Sequence, residues 1–156
     1  MLGRTEMQTS HRDVQVLIVD DQASFRRVAR SVIELTPGFV VVGEADTGEA
    51  AVDAVCRVGG GMRERPDLVL MDVHLPGIDG LEASRRIVAT CGTRAPTIFL
   101  LSTDDAADYM AEPPECGAAA YLTKAAFGST RLGEAWADAI ASRSGLTAAD
   151  SSGTRP

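Results

Sequence analysis

Acidic residues at the ends of two apolar segments carry the strongest chemical signal in this sequence. Asp20 and Asp21 directly follow the apolar run 16–19, and Asp72 directly follows the run 68–71. A buried strand has no structural need for a carboxylate at its end, because burying an unpaired charge is costly. If the two runs are parallel neighbours in one sheet, the three carboxylates meet at one edge.

Three carboxylates at one edge predict a metal site. Carboxylates about 5 Å apart repel one another by roughly 3 kcal/mol per pair at an effective dielectric constant near 20. A divalent cation relieves this repulsion, and oxygen ligands from carboxylates, a backbone carbonyl and water suit Mg²⁺. With the metal bound, Asp72 could attack a phosphorus atom as a nucleophile and form an aspartyl phosphate.

A hydroxyl group and an amine follow two later apolar runs. Ser102 comes after residues 97–101, and Lys124 comes shortly after residues 119–122. The ammonium group of a lysine is a compact charge for one phosphoryl oxygen, and a hydroxyl can donate a hydrogen bond to another. These residues therefore predict a phosphoryl-transfer site in which the protein supplies mainly position and positive charge.

Strands and helices that alternate along the chain must position these residues. Apolar and β-branched runs predict five strands, over residues 15–19, 39–42, 68–71, 97–101 and 119–122. Apolar residues at helical spacing predict helices after the first, second, third and last of these strands. Pro113 and Pro114 interrupt the remaining segment, 106–117, so we expect a short or broken fourth helix there. The alternation predicts an α/β fold with a parallel sheet between two helical layers.

The composition favours one folded domain. A chain of 156 residues with 45% hydrophobic residues suits a single core. We assign residues 14–142 to this domain, residues 1–13 to a disordered leader and residues 143–156 to a disordered tail. The formal net charge of −7 argues against direct contact with nucleic acid, which requires clustered basic residues.

Membrane and redox signals are weak. No apolar run reaches the roughly 18 residues that a membrane span needs, and the start of the chain does not look like a signal peptide, so we predict a cytoplasmic protein without membrane association. Cys56, Cys91 and Cys116 are widely spaced. This spacing favours a reducing compartment, with the cysteines acting as small buried hydrophobic residues rather than as disulfide or zinc partners.

Together, these motifs resemble the receiver domain of two-component response regulators. They are Asp20–Asp21, Asp72 in MDVHLPGIDG, Ser102 in LLST and Lys124 in AYLTKA. The resemblance covers about residues 14–142, and segment 41–50 looks most like receivers that usually precede a helix-turn-helix DNA-binding domain. It implies a flavodoxin-like, doubly wound sheet of five parallel strands in the order 2-1-3-4-5, with helices on both faces.

The resemblance also implies roles for the acidic residues. Asp72 would be the phosphoacceptor. Asp21 and Asp72 would ligate Mg²⁺ together with the backbone carbonyl of His74, and Asp20 would assist through water. The chain would thus be a phosphoacceptor rather than an enzyme, catalysing only its own phosphorylation and dephosphorylation, with Lys124 and Ser102 contacting the phosphoryl group.

A conformational switch and two kinds of partner follow from the same resemblance. Ser102 and Tyr121 would form a switch pair, in which the hydroxyl moves toward the phosphoryl group and the aromatic ring turns inward. The changed face would be built by the predicted fourth helix, the fifth strand and the last helix. A histidine kinase or phosphotransfer protein would supply the phosphoryl group, and a downstream protein would read the changed face.

Several alternatives remain open at this stage. Asp20 or Asp21 could cap the first helix, and Tyr121 could pack without switching. A receiver-like module that binds partners without phosphorylation is the second functional hypothesis, favoured by the interrupted fourth helix. Too few residues follow Ile140 for a helix-turn-helix domain, so we expect no direct DNA binding. Whether the protein forms a weak homodimer is left open.

Overall fold

The computed structural model describes residues 12–57, 65–103 and 116–152, with side chains described as far as residue 143. Most of the predicted leader, Pro113–Pro114 and most of the predicted fourth helix lie outside these residues. The described residues include all five predicted strands and the residues predicted for the candidate site.

The described strands form one parallel sheet. Their order across the sheet is β2-β1-β3-β4-β5, and every neighbouring pair is parallel, as predicted. Continuous apolar runs suit such a sheet, because both of its faces are covered. The strands are β1 (Val14–Val19), β2 (Phe39–Ala45), β3 (Leu68–Asp72), β4 (Thr97–Ser102) and β5 (Ala120–Thr123).

Helices cover both faces of the sheet, as the fold class requires. They are α1 (Ala23–Glu34), α2 (Gly48–Cys56), α3 (Gly80–Cys91) and α4 (Ser129–Ser152). One core lies between the sheet and the α2–α3 layer, where Val55 and Ile87 are fully buried. The other lies on the opposite face, where Ile33 of α1 and Leu132 of α4 pack against alternate strand residues. The alternation of side chains along each strand divides the apolar residues between the two cores.

The end of the chain differs from the sequence prediction. Helix α4 continues to Ser152, past residue 142, where we expected the folded domain to end. The physical reason is local: residues 143–152 include Ala148 and Ala149, which have high helix propensity, and they contain no proline. Although α4 is long, neither it nor any other helix in the described ranges combines the length and the apolar character needed to cross a membrane.

The register of the sheet places the predicted site residues along one edge. Val19 lies beside Met71, Asp72 beside Leu101, and Ser102 beside Thr123. Asp72 and Ser102 therefore lie at the carboxyl edge of the sheet, and so do Asp20, which follows Val19, and Lys124, which follows Thr123. Ligands bind at this edge in open α/β sheets.

Candidate functional site

Three carboxylates meet at the carboxyl edge, as the sequence predicted. One oxygen from each of Asp20, Asp21 and Asp72 lies within 4.8 Å of the others. Asp20 and Asp72 are buried, whereas Asp21 is exposed. The cluster is thus open to solvent on the Asp21 side, and its all-oxygen donors suit a hard divalent cation such as Mg²⁺.

Three hydrogen bonds hold Asp20 in the turn after β1. Its N–H donates to the Ala45 carbonyl (3.0 Å), and its carbonyl accepts from the Arg26 guanidinium (2.7 Å). Its Oδ1 accepts from the N–H of Gln22 (2.8 Å). Gln22 is the N-cap of α1, so the hypothesis that Asp20 or Asp21 is the N-cap is wrong. Asp20 instead orders the turn that leads into the helix.

Lys124 supplies the positive charge at this edge. It follows β5, and its Nζ lies 2.5 Å from Asp20 Oδ2 and 3.6 Å from Asp72 Oδ2. Its side chain is nearly buried. Asp20, Asp72 and Lys124 are called the edge cluster below. Two carboxylates share one ammonium group here, so the edge cluster retains excess negative charge.

Phe25 is a contact of the edge cluster that the sequence analysis did not single out. Its ring lies under Lys124, with Nζ 4.5 Å from the ring centroid, and it also meets the ring of Phe127 at 6.2 Å. An ammonium group over an aromatic face is attracted by the ring quadrupole. Phe25 lies on the apolar face predicted for α1, so its helical position was available from the sequence, but its lysine partner was not.

Burial and like charge disfavour ionisation of Asp72. Burial raises the pKa of Asp72 most, and the nearby Asp20 carboxylate raises it further. The Lys124 ammonium and the His74 N–H, which donates to Asp72 Oδ1 (3.2 Å), act in the opposite direction. The net pKa of Asp72 is raised, which means that its charged form is disfavoured. A bound cation would stabilise this charged form.

The start of α3 packs directly against the backbone of Asp72. The N–H of Gly80 donates to the carbonyl of Val73 (2.9 Å), and a side chain at Gly80 would collide with the carbonyl oxygen of Asp72. Asp79 caps the helix by accepting from the N–H of Glu82 (2.8 Å). Glycine at position 80 therefore allows α3 to begin immediately beside the predicted phosphoacceptor.

Glu49 steadies the loop after β3 from the neighbouring helix, and the sequence analysis missed it. Its Oε2 accepts from the N–H of Ile78 (3.2 Å). Gly77 has a φ of 76°, a conformation that favours glycine, and a side chain there would crowd the same carboxylate. Segment 41–50, which includes Glu49, contributed only to the resemblance, and no spacing rule linked it to a loop in another part of the chain.

Ser102 and Tyr121 lie on neighbouring strands. Ser102 is fully buried at the end of β4, and Tyr121 of β5 lies beside Leu100 in the register. Tyr121 is partly buried and packs against the core under α2 and α3. The structure thus places both residues near the carboxyl edge, while their switch roles, and the role of the His74 carbonyl as a metal ligand, stay predictions.

A second charged cluster lies beside the first but near the surface. Glu44 at the end of β2 accepts from Arg26 (2.9 Å) and from Arg30 (2.6 Å). The hydrogen bond from Arg30 is the main cause that lowers the pKa of Glu44, and Arg26 adds to it. Glu44, Arg26 and Arg30 are called the surface cluster below. Arg26 also holds the Asp20 carbonyl, so it connects the two clusters.

Comparisons with known proteins show the family to which this chain is similar. A family model described as the response regulator receiver domain matches residues 16–135. The response regulator UvrY of Escherichia coli (strain K12) is 40% identical over 113 residues, which cover 72% of this chain and 48% of UvrY. The transcriptional regulatory protein DegU of Brevibacillus brevis is 31% identical over 119 residues, which cover 75% of this chain and 46% of DegU.

Solved structures agree as well. The signal receiver domain of NarL from Mycobacterium tuberculosis superposes with a TM-score of 0.68 at 28% identity, covering 81% of this chain and 95% of that one. The chain spans about half the length of the curated relatives named above. The similarity therefore concerns only part of each of these relatives.

Proposed function

This chain belongs to the receiver family of two-component response regulators, and we propose that it is a phosphorylation-dependent signalling switch with Asp72 as phosphoacceptor. The observation that carries the proposal is the edge cluster together with Asp21. A buried carboxylate, Asp72, lies at the carboxyl edge with two further carboxylates and within 3.6 Å of the Lys124 ammonium. This is the arrangement that a carboxylate nucleophile and an anionic phosphoryl group require.

The reaction follows from these positions. An oxygen of Asp72 attacks the phosphorus of the donor, the new O–P bond forms, and the bond between phosphorus and the donor's leaving group breaks, with its electron pair remaining on the leaving group. Lys124 is close enough to contact a phosphoryl oxygen, and Ser102 donates to another. Mg²⁺, held by Asp20, Asp21, Asp72 and the His74 carbonyl, would neutralise charge on the transferred group when bound.

The proposed donor is a histidine kinase or a phosphotransfer protein, and the proposed reader is a protein partner. Ser102 and Tyr121 lie at the end of β4 and on β5, so a movement of either residue would alter the β5–α4 side of the domain. UvrY and DegU are named as regulators, but the matched region is only part of their length. A cytoplasmic location and the absence of direct nucleic-acid contact stay predictions. It also stays a prediction that the protein is only a phosphoacceptor and does not turn over a separate substrate.

The interaction-only alternative has no described contact in its favour. It depended on Pro113–Pro114, which lies outside the described residues. Phosphorylation therefore remains the proposed function.

Intact-mass measurement tests the phosphoacceptor directly. We expect incubation with acetyl phosphate and Mg²⁺ to add about 80 Da, the mass of one phosphoryl group, and EDTA to prevent the gain. Asp72→Asn should abolish the gain, because an amide is a far weaker nucleophile than a carboxylate. Asp53→Asn, at an exposed position on α2, is the matched control and should retain it.

Two further results would contradict the proposal. One is equal labelling of Asp72→Asn and wild type. The other is a label that survives hydroxylamine, since an acyl phosphate is cleaved by that reagent whereas a phosphoserine is not.

A further inference from the structure

Two cysteines meet at the far ends of α2 and α3. Cys56 is the last residue of α2, Cys91 is the last residue of α3, and their Sγ atoms lie 3.2 Å apart. Both residues are partly buried and both are free thiols. The pair is separate from the carboxylates at the edge of the sheet, and the proposed phosphorylation does not use it.

We propose that Cys56 and Cys91 are a redox modification site, which forms a reversible disulfide within one chain when a peroxide or a small disulfide oxidises it. A disulfide has an S–S distance near 2.05 Å, so the sulfur atoms must approach by about 1 Å from their present contact. Small side-chain and helix adjustments cover such a distance, whereas cysteines on unrelated surfaces would require the backbone to rearrange.

The surrounding packing brings the two thiols together in the folded state. Helices α2 and α3 lie side by side on the same face of the sheet, and the buried residues Ala51, Val55, Ala83 and Ile87 hold them in one core. At the opposite end of the two helices, Glu49 near the start of α2 accepts a hydrogen bond from the N–H of Ile78, which lies just before α3. Because both helices are held along their length, their final residues remain neighbours, which raises the effective concentration of one thiol beside the other.

Exposure distinguishes this pair from the third cysteine. Cys116 is 2% exposed and lies within the core on the same face of the sheet. Cys56 and Cys91 are each in the intermediate range of exposure, so a small oxidant can reach them. Widely separated positions in the sequence suggested purely structural thiols, and only the contact between helices reveals a dithiol.

The oxidation balances with one molecule of hydrogen peroxide. The thiolate of one cysteine attacks a peroxide oxygen, the O–O bond breaks, and a sulfenic acid and water form. The second thiol then attacks the sulfenic sulfur, the S–O bond breaks, and a second water leaves. Together the two thiols lose two electrons and two protons. Burial, and then the adjacent Cys91 thiol, raises the pKa of Cys56 to about 11, so we expect reaction over minutes to hours rather than seconds.

Mass spectrometry of the whole chain tests the site. The reduced protein is treated with hydrogen peroxide or, separately, with oxidised glutathione. We expect a monomer lighter by about 2 Da, a cross-linked peptide pair that contains Cys56 and Cys91 after protease digestion, and recovery of the original mass with dithiothreitol. Cys116→Ser should give the same result as wild type, whereas Cys56→Ser and Cys91→Ser should each lose the 2 Da change.

Thermal unfolding gives a second readout. The cross-link closes a long chain segment, so the oxidised protein should unfold at a temperature roughly 5 to 10 °C above that of the reduced protein. Several results would overturn the proposal: wild type that keeps both thiols, a disulfide that uses Cys116, a dimer linked between chains, or only separate sulfinic or sulfonic products. The mapping on wild type decides among them even if a serine variant does not fold.

Discussion

The edge cluster and the surface cluster contain the same kinds of group, but they shift the pKa of a carboxylate in opposite directions. At the surface, two guanidinium groups share Glu44 and lower its pKa. At the edge, Asp20 and Asp72 share one ammonium group under heavy burial, and the pKa of Asp72 is raised. The surface cluster is satisfied as it stands. The edge cluster lacks positive charge, which a cation and a phosphoryl-transfer reaction can use.

Removing the cation from each cluster should separate them most clearly. Lys124→Met leaves two buried carboxylates without their counter-charge, so we expect the free energy of unfolding at pH 7 in EDTA to fall by about 3 kcal/mol. Arg30→Gln, the control in the surface cluster, should cost less than about 1 kcal/mol, because its side chain is 41% exposed and the pair is screened by water. Urea denaturation measures both changes, and equal losses would contradict the distinction.

Adding Mg²⁺ should stabilise the folded state through the edge cluster and not through the surface cluster. At a concentration of ten times its dissociation constant, a cation that binds only the folded state stabilises it by about 1.4 kcal/mol, which corresponds to a rise of roughly 3 to 5 °C in unfolding temperature. Asp72→Asn should lose most of this rise, and Asp53→Asn should keep it. A rise of the same size in the Asp72→Asn variant would show that the cation binds elsewhere.

The two clusters should also respond to pH in opposite directions. The folded state raises the pKa of Asp72, so the contribution of Asp72 to stability falls as pH rises from about 4 through that higher value. The folded state lowers the pKa of Glu44, so its stabilising contribution is present above about pH 4.5 and is lost as pH falls through the lowered value.

Variants make these pH effects measurable. Relative to wild type in EDTA, Asp72→Asn should gain stability as the pH rises from 3.5 to 7, whereas Glu44→Gln should lose stability over the same range. Urea denaturation at several pH values follows both. If the two differences change with the same sign, the opposite pKa directions are wrong.

The smallest expected effect concerns how Lys124 is held. Phe25→Leu removes the ring below the ammonium group, an interaction worth about 0.5 to 1 kcal/mol, and should slow labelling by acetyl phosphate by roughly two- to fivefold. Phe39→Leu is the matched control, since its ring meets Trp136 edge-on at 6.2 Å and takes no part in the edge cluster. Initial rates of labelling are measured for both variants. Equal slowing in both would show that the effect of Phe25→Leu is a general loss of packing and not the loss of its contact with Lys124.

The sequence was sufficient to predict the α/β fold class, because hydrophobic spacing depends on the chain alone. Strand and helix periods differ, and the apolar runs that precede Asp20 and Asp72 mark strands with covered faces. Since parallel strands end at the same edge, the sequence predicted that the carboxylates meet if their two strands are neighbours. The resemblance to receiver domains added the strand order and the expected role of each residue. The helix end was not predictable in the same way, because residues 143–152 have competing propensities and α4 continued through them.

The tertiary structure decided which side chains meet across different elements. Lys124 over Phe25, Glu49 at the N–H of Ile78, and the contact between Cys56 and Cys91 each join separate parts of the chain. Their distances depend on how helices pack against the sheet, which no local period specifies. The raised pKa of Asp72 has the same origin, since burial and the proximity of Asp20 exist only after folding. Sequence alone thus determined which residues reach the edge, and packing determined their charge and their partners.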